Sequence, residues 1–492
     1  MAKTSLSLRD SAKQAMLWSA GLSLLRDVLQ FGQMLVLARL LDPAAYGMAG
    51  LATTLINFIG LASFQHVIAH VLQIRADKPV NFHQHFTAGW VLNGALFLIA
   101  NAIAFSLRLF EQYAHLQPLL HLLSFTFLLS VPSDMRAKML ERDHDWNRLR
   151  TLQLGGIVVS IITAIALAVG GAGVYALIVP GLLSSTIMAL DLFFFSGWRP
   201  HWQWSYSSYR EALHFGLNRA GSNALNGGRA VLQNTMITEH FQFAGLGLFA
   251  RAEALANMFC GRIAQQASGA LYPIITRAEA KSPQFQRTSG LMLSGVIWVV
   301  APIAAFFSLE SLRLVSVLYG SQWLDLVPLL PFAMGIGLAI SIGATAYSLL
   351  LANDQARLCL RADMAAFVIA AAPMLLLIPL GLKTYLVGAL AANITIAAVL
   401  LTLLIKTHGL QLSGLLRASA APTVATALAT TGAWALQTIL ETQFSGVAAL
   451  FMAWISFTSV YVAVLRLLFR ANLAEIVGFL PGSLKIRRVL WL

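Results

Sequence analysis

Apolar runs separated by short polar or Gly/Pro segments recur along the whole chain. They lie at about 14–41, 47–73, 86–108, 115–135, 151–170, 173–195, 210–238, 244–274, 289–309, 326–351, 361–381, 384–405, 416–440 and 446–468. Crossing a bilayer takes about 20 apolar residues, so the pattern predicts about 14 transmembrane helices. The first run follows Lys3, Arg9 and Lys13, as a signal peptide would. It is too long for a cleavable apolar core, and apolar segments continue to the C-terminus, so it reads as the first spanning helix. At 1.5 Å per residue it reaches about 42 Å and must tilt, kink or protrude. The seventh and eighth runs are the weakest, because arginines and asparagines interrupt them.

Composition sharpens this picture. Of 492 residues 58% are hydrophobic and only 11% charged, against about 25% charged in a soluble domain. A soluble enzyme, a disordered chain and a disulfide scaffold are excluded. Cys260 and Cys359 both fall in or beside apolar runs, where no disulfide is expected. The net charge of +13 has to be read across the membrane before it is read as a binding site. With the N-terminus in the cytoplasm, 24 of the 33 Lys and Arg residues fall on that side and four (Arg39, Arg108, Arg313 and Lys383) on the other. The connections are short, so the asymmetry places both termini in the cytoplasm. Basicity then reports topology, and no nucleic-acid partner is implied. Loop cations such as Arg148 read as solvated and of little consequence.

Residues Ala38–Gly50, ARLLDPAAYGMAG, align with Thr238–Ala250, TEHFQFAGLGLFA, placing Ala44 on Ala244 and Gly47 on Gly247. Each lies between the first two helices of a half. The expected fold is an all-α polytopic membrane protein, with two six-helix pseudo-symmetric lobes and two further C-terminal helices. Residues 1–200 form the N-lobe, 201–410 the C-lobe, 411–470 helices 13 and 14, and 471–492 a cytoplasmic tail. Such repeats place a transporter's site between them. The connection GWRPHWQWSYSSYR, Gly197–Arg210, has the Trp and Tyr content of an interfacial anchor. Pro180, Pro302, Pro331, Pro373 and Pro422 mark kinks, while Gly155-Gly156 and Gly170-Gly171 suit close packing.

Five arginines lie inside the predicted spans: Arg26, Arg219, Arg229, Arg251 and Arg262. Each costs about 2.5–3.5 kcal/mol at mid-bilayer, so five facing lipid would cost roughly 12–17 kcal/mol. Helical spacing gathers them on polar stripes. Helix 1 aligns Ser19, Ser23, Arg26, Gln30 and Gln33, with Asp27 beside them. Helix 7 groups Arg219, Ser222, Asn223, Asn226, Arg229 and Gln233; helix 8 spaces Arg251 and Arg262 eleven apart and extends to Gln265 and Gln266. Local pairing of Arg26 with Asp27, or of Arg251 with Glu253, has poor geometry in an α-helix. The stripes instead describe a hydrated, cationic cavity. Guanidinium groups bind phosphate bidentately, and Asn, Gln and Ser suit sugar hydroxyls. Arg26, Arg219, Arg251 and Arg262 are the candidate diphosphate ligands; Asn223, Asn226, Arg229, Gln233 and Gln30 the sugar or cavity contacts. Asp27 and Asp191 are coupling-ion candidates, with packing or pairing as the alternative. His66 and His70, at i,i+4, lack a third ligand for a metal. No catalytic spacing of nucleophile, base or paired carboxylates occurs, so neither enzyme, metal nor cofactor is expected.

The motif Leu37–Thr53, LARLLDPAAYGMAGLAT, and GGAGVYALIVPGLLSS, Gly170–Ser185, resemble the Wzx-type polysaccharide flippases over about residues 10–410. That family shares a superfamily with multidrug exporters (MATE) and lipid II flippases. The resemblance implies a two-lobed, alternating-access carrier in the bacterial inner membrane. Its substrate would be undecaprenyl-diphosphate-linked oligosaccharide for exopolysaccharide or O-antigen synthesis. Its partners would be membrane lipids, a polysaccharide polymerase and export machinery. Arg26-Asp27 also looks like the Arg-Asp pairing of lipid II flippases, which keeps that cargo open. A multidrug antiporter would want cavity carboxylates. A membrane glycosyltransferase or polymerase would want a large extramembrane loop.

Overall fold

A computed structural model describes residues 8–72, 74, 80–262, 264–266, 275, 282–352, 355–410, 412–443, 446–470 and 473. Among them all regular structure is helical. Ten helical segments of the described residues are long and apolar enough to cross a membrane. The chain is therefore a multi-pass membrane protein. It divides into two compact units, one of 1–238 with 242–247, the other of 239–241 with 248–492. The change of unit falls well after the connection at 197–210.

In the first unit α1 is Leu8–Leu40 and α2 is Pro43–Ile59. Asp42 starts α2 by accepting from Ala45 N at 2.8 Å, and Pro43 fits the first turn because its missing N–H would go unused. The run at 47–73, expected as one helix, is broken. After a 3₁₀ turn at Gly60–Ala62, Ser63 is extended (φ −70°, ψ 161°), and a short α3, Phe64–Ile68, comes next. Asn93 of α4, Phe82–Leu107, makes the break tolerable. Its Oδ1 accepts from Phe64 N at 2.8 Å, and its Nδ2 donates to Phe127 O and Ser130 Oγ at 2.9 Å. A buried backbone N–H left unpaired would cost about 1–3 kcal/mol, and Asn93 is fully buried. The bundle is completed by α5, Gln117–Arg142, α6, Trp146–Val169, and α7, Tyr175–Leu190, which ends in a π-helical turn, Asp191–Phe195.

The next helix, α8, covers Tyr206–Ala256 but is interrupted at Gln242 (φ 57°, ψ −174°). This backbone is almost confined to glycine, so Gln242 is strained. Just beyond it the chain crosses α2 at closest approach. A Cβ on Gly47 would stand 1.8 Å from Phe243 O, and one on Gly247 would stand 1.8 Å from Pro43 O. The contact is reciprocal between positions that the internal repeat aligns, and only glycine fits either side.

The second unit holds α9, Pro283–Leu309, the short α10, Ser311–Leu318, and α11, Leu330–Leu351. After these come α12, Ala356–Leu377, α13, Leu382–His408, α14, Leu412–Gln443, and α15, Gly446–Leu468. Gly409, left-handed at φ 67°, closes α13. The last two helices are tied to α9: Trp298 Nε1 donates to Ala418 O at 3.3 Å, and Tyr461 Oη donates to Trp298 O at 2.9 Å. Alanines of α14 (Ala421, Ala425, Ala429 and Ala433), four residues apart, fill that contact. Small side chains let membrane helices approach closely.

Candidate functional site

The polar stripe of α1 is placed from Leu25 onward. Arg26 and Asp27 pair despite their adjacency, at 3.3 Å, with side-chain exposures of 43% and 21%. Adjacent side chains diverge by about 100° on a helix, yet the long Arg side chain curls back far enough to reach. Gln30 is exposed one turn further on. On α8, Asn223 and Asn226 are exposed, and Arg229 donates to Gln233 at 3.4 Å. Asn234 donates to Thr54 Oγ1 at 2.8 Å, fastening this stretch to α2. The side chains of Arg219, Ser19, Ser23 and Ser222 lie outside the described residues.

In the second unit Arg251 and Arg262 are half-buried. A π-helical turn, Asn257–Gly261, lies between them. Such a turn adds about one residue, rotating the residues beyond it by roughly 100°. The spacing of eleven, which gives one shared face in an unbroken α-helix, therefore does not do so here. Gly337 of α11 leaves room for the turn: a Cβ there would stand 3.1 Å from Cys260 Cβ. Cys260 and Cys359 are both buried free thiols.

Asp191 lies elsewhere. It is buried at the end of α7 between two arginines, Arg136 of α5 (Nε–Oδ2, 2.5 Å) and Arg148 of α6 (Nη2–Oδ1, 2.7 Å). Arg148 also donates to Phe195 O at 3.1 Å. The π-helical turn begins at Asp191 and carries Phe195 O to Arg148. Three helices thus meet on one carboxylate. Arg148, expected to be a solvated loop cation, is a structural partner. Arg142 likewise donates to Val71 O and Ile74 O at 3.0 and 3.1 Å, satisfying carbonyls where the second spanning stretch ends. The helix carrying His66 gives way to 3₁₀ geometry at Ala69, so His66 and His70 do not share one α-helical turn.

The connection after α7 splits in role. Trp198 and His201 stack on His83 at 5.0 Å, and Gln203 N donates to Thr87 Oγ1 at 2.9 Å. Trp202 and Trp204 are exposed, as an interfacial anchor requires.

One further acid is not singled out by hydropathy or by the polar stripes. Asp134 lies on α5, and its Oδ2 is buried and accepts no hydrogen bond from the described residues. The spacing of Asp134, Lys138 and Glu141, one side of a helix, was the available signal.

This helical architecture is shared with solved membrane transporters. The chain is similar in fold to the lipid II flippase MurJ in an inward closed conformation, with a TM-score of 0.71 at 12% identity over 93% of this chain and 100% of that one. It is also similar to an inward-facing MATE family multidrug resistance transporter, with a TM-score of 0.57 at 15% identity over 80% of this chain and 95% of that one. Residues 36–328 match the polysaccharide biosynthesis protein family, and the chain belongs to it. Among curated relatives, the lipopolysaccharide biosynthesis protein WzxC of Escherichia coli (strain K12) is 21% identical over 71% of this chain and 72% of its own length. The succinoglycan biosynthesis transport protein ExoT of Rhizobium meliloti (strain 1021) is 22% identical over 61% of this chain, and the match spans 61% of that protein's length.

Proposed function

We propose that this protein is a flippase of the bacterial inner membrane. It carries undecaprenyl-diphosphate-linked oligosaccharide repeat units across the bilayer for exopolysaccharide or O-antigen synthesis. Its two lobes alternate access to a cationic cavity, both termini are cytoplasmic, and its partners are a polysaccharide polymerase and the export machinery. The observation that carries the reading is the placing of Arg26, Arg229 and Arg251 on α1 and α8. Both helices fall outside the ten segments apolar enough to cross lipid. Family membership and the named roles of WzxC and ExoT support the same class of cargo. Arg26, Arg219, Arg251 and Arg262 hold the diphosphate, while Gln30, Asn223, Asn226, Arg229 and Gln233 face sugar. Asp27, beside Arg26, biases the guanidinium between its own carboxylate and the incoming anion.

The test is substitution of each diphosphate arginine by Ala, with binding and flipping of a lipid-linked oligosaccharide measured in proteoliposomes. A hydrogen bond to a charged group is worth about 1.5–3 kcal/mol, so affinity should fall about 10- to 150-fold. Lys should restore part of it, returning charge without the bidentate fork. Normal flipping by all four well-folded variants would show the arginines to be structural. The Arg26–Asp27 pair at 3.3 Å favours lipid II as a second cargo, to be measured in the same vesicles.

A further inference from the structure

Two carboxylates and one ammonium share a side of α5. Asp134, Lys138 and Glu141 occupy positions i, i+4 and i+7, the spacing that stacks side chains along a helix. Lys138 Nζ engages Glu141 Oε2 at 2.6 Å, with side-chain exposures of 20% and 22%. Asp134 has no such partner among the described residues: the residue is half-buried, and its buried Oδ2 receives no hydrogen bond from them. A buried carboxylate oxygen without a donor is costly to keep charged. No group of three His, Cys, Asp or Glu gathers among the described residues to hold a metal ion instead.

The neighbours on other elements are already committed. Arg136 and Arg148 hold Asp191, and Arg142 holds the Val71 and Ile74 carbonyls. His70 and His85 bear on each other. Among the described residues, the charged groups that bear on Asp134 are Lys138 and Glu141, from its own helix.

We propose that Asp134 is a proton-binding site, and that Asp134, Lys138 and Glu141 form a switch linking transport to protons; this rests on the transporter reading above. In one state Asp134 holds the proton and Lys138 pairs with Glu141. In the other the Asp134 O–H bond breaks, the proton passes to water, and Glu141 loses its ammonium partner. Lys138, one turn from both, then transfers its hydrogen bond to the Asp134 carboxylate. One ammonium serving two carboxylates gives two discrete arrangements, which is what a switch requires. Asp191 offers no such alternation, since it is held from both sides by Arg136 and Arg148.

The full chain is reconstituted in proteoliposomes with a lipid-linked oligosaccharide and an imposed pH gradient. Flipping by the wild type should respond to the gradient, and Asp134→Asn should abolish that response. Asp134→Glu should keep it, and Lys138→Gln, which removes the ammonium that the two carboxylates share, should abolish it as well. Asp134→Leu, compared in thermal unfolding, separates loss of response from loss of fold. A wild type that flips without regard to the gradient, or an Asp134→Asn variant that still responds, overturns the proposal. If the wild type does not flip this cargo at all, the cargo reading fails, and infrared titration of the purified protein decides the site by itself. A carboxylic-acid band present in the wild type and missing from Asp134→Asn upholds the site; absence of that band in the wild type overturns it.

Discussion

Asp191 and Asp134 are two carboxylates of one helical unit, at the end of α7 and on the α5 it packs against, with opposite surroundings. Asp191 is gripped by Arg136 and Arg148 and is the joint of α5, α6 and α7. Asp134 has a buried oxygen that meets no donor among the described residues. A doubly paired carboxylate is locked in one charge state, because losing its charge would strand two guanidinium groups. An unpaired one is free to exchange a proton. On the proposal made above, the difference is that between a carboxylate held by its partners and one that binds a proton, although both are the same residue type in an apolar bundle.

The largest effect should come from breaking the paired site. Asp191→Ala leaves Arg136, with 8% of its side chain exposed, buried and without its acid. Removing one partner of a buried pair costs about 3–5 kcal/mol, so thermal unfolding in detergent should show a strongly lowered Tm. A wild-type Tm would mean that the joint does not hold the three helices. Arg148→Ala should cost less, about 1 kcal/mol at most, because 38% of that side chain is exposed and water screens the pair. The same melting experiment checks it, and an equal loss in both variants would make Arg148 the principal partner. Smallest of all, Asp134→Asn should leave Tm unchanged, since it removes no hydrogen bond. A large drop there would reveal a partner for Asp134 and erase the contrast.

Helix boundaries were legible to within a few residues for most of the chain, because each apolar run reports its own transfer energy. The interruptions were less so. Gln242 falls where two expected runs part, so the sequence pointed to that break. Ser63 lies within one continuous apolar run, and the side chain that satisfies the freed Phe64 N–H, Asn93, comes 29 residues later. At the candidate site, the stripe on α1 could be read from spacing. The relation of Arg251 to Arg262 could not, because the π-helical turn at Asn257–Gly261 shifts the phase that spacing assumes.

Taken alone, the sequence determined that this is a polytopic helical membrane protein. Hydropathy is local and additive, and so is the burial of apolar surface that it measures. The tertiary structure alone decided which buried charges are satisfied. Arg136 finds Asp191 from 55 residues away, and Arg142 finds carbonyls 71 and 68 residues away. In a low-dielectric interior the energy of a charge depends on the few groups touching it, and those groups are brought together by packing, not by order along the chain.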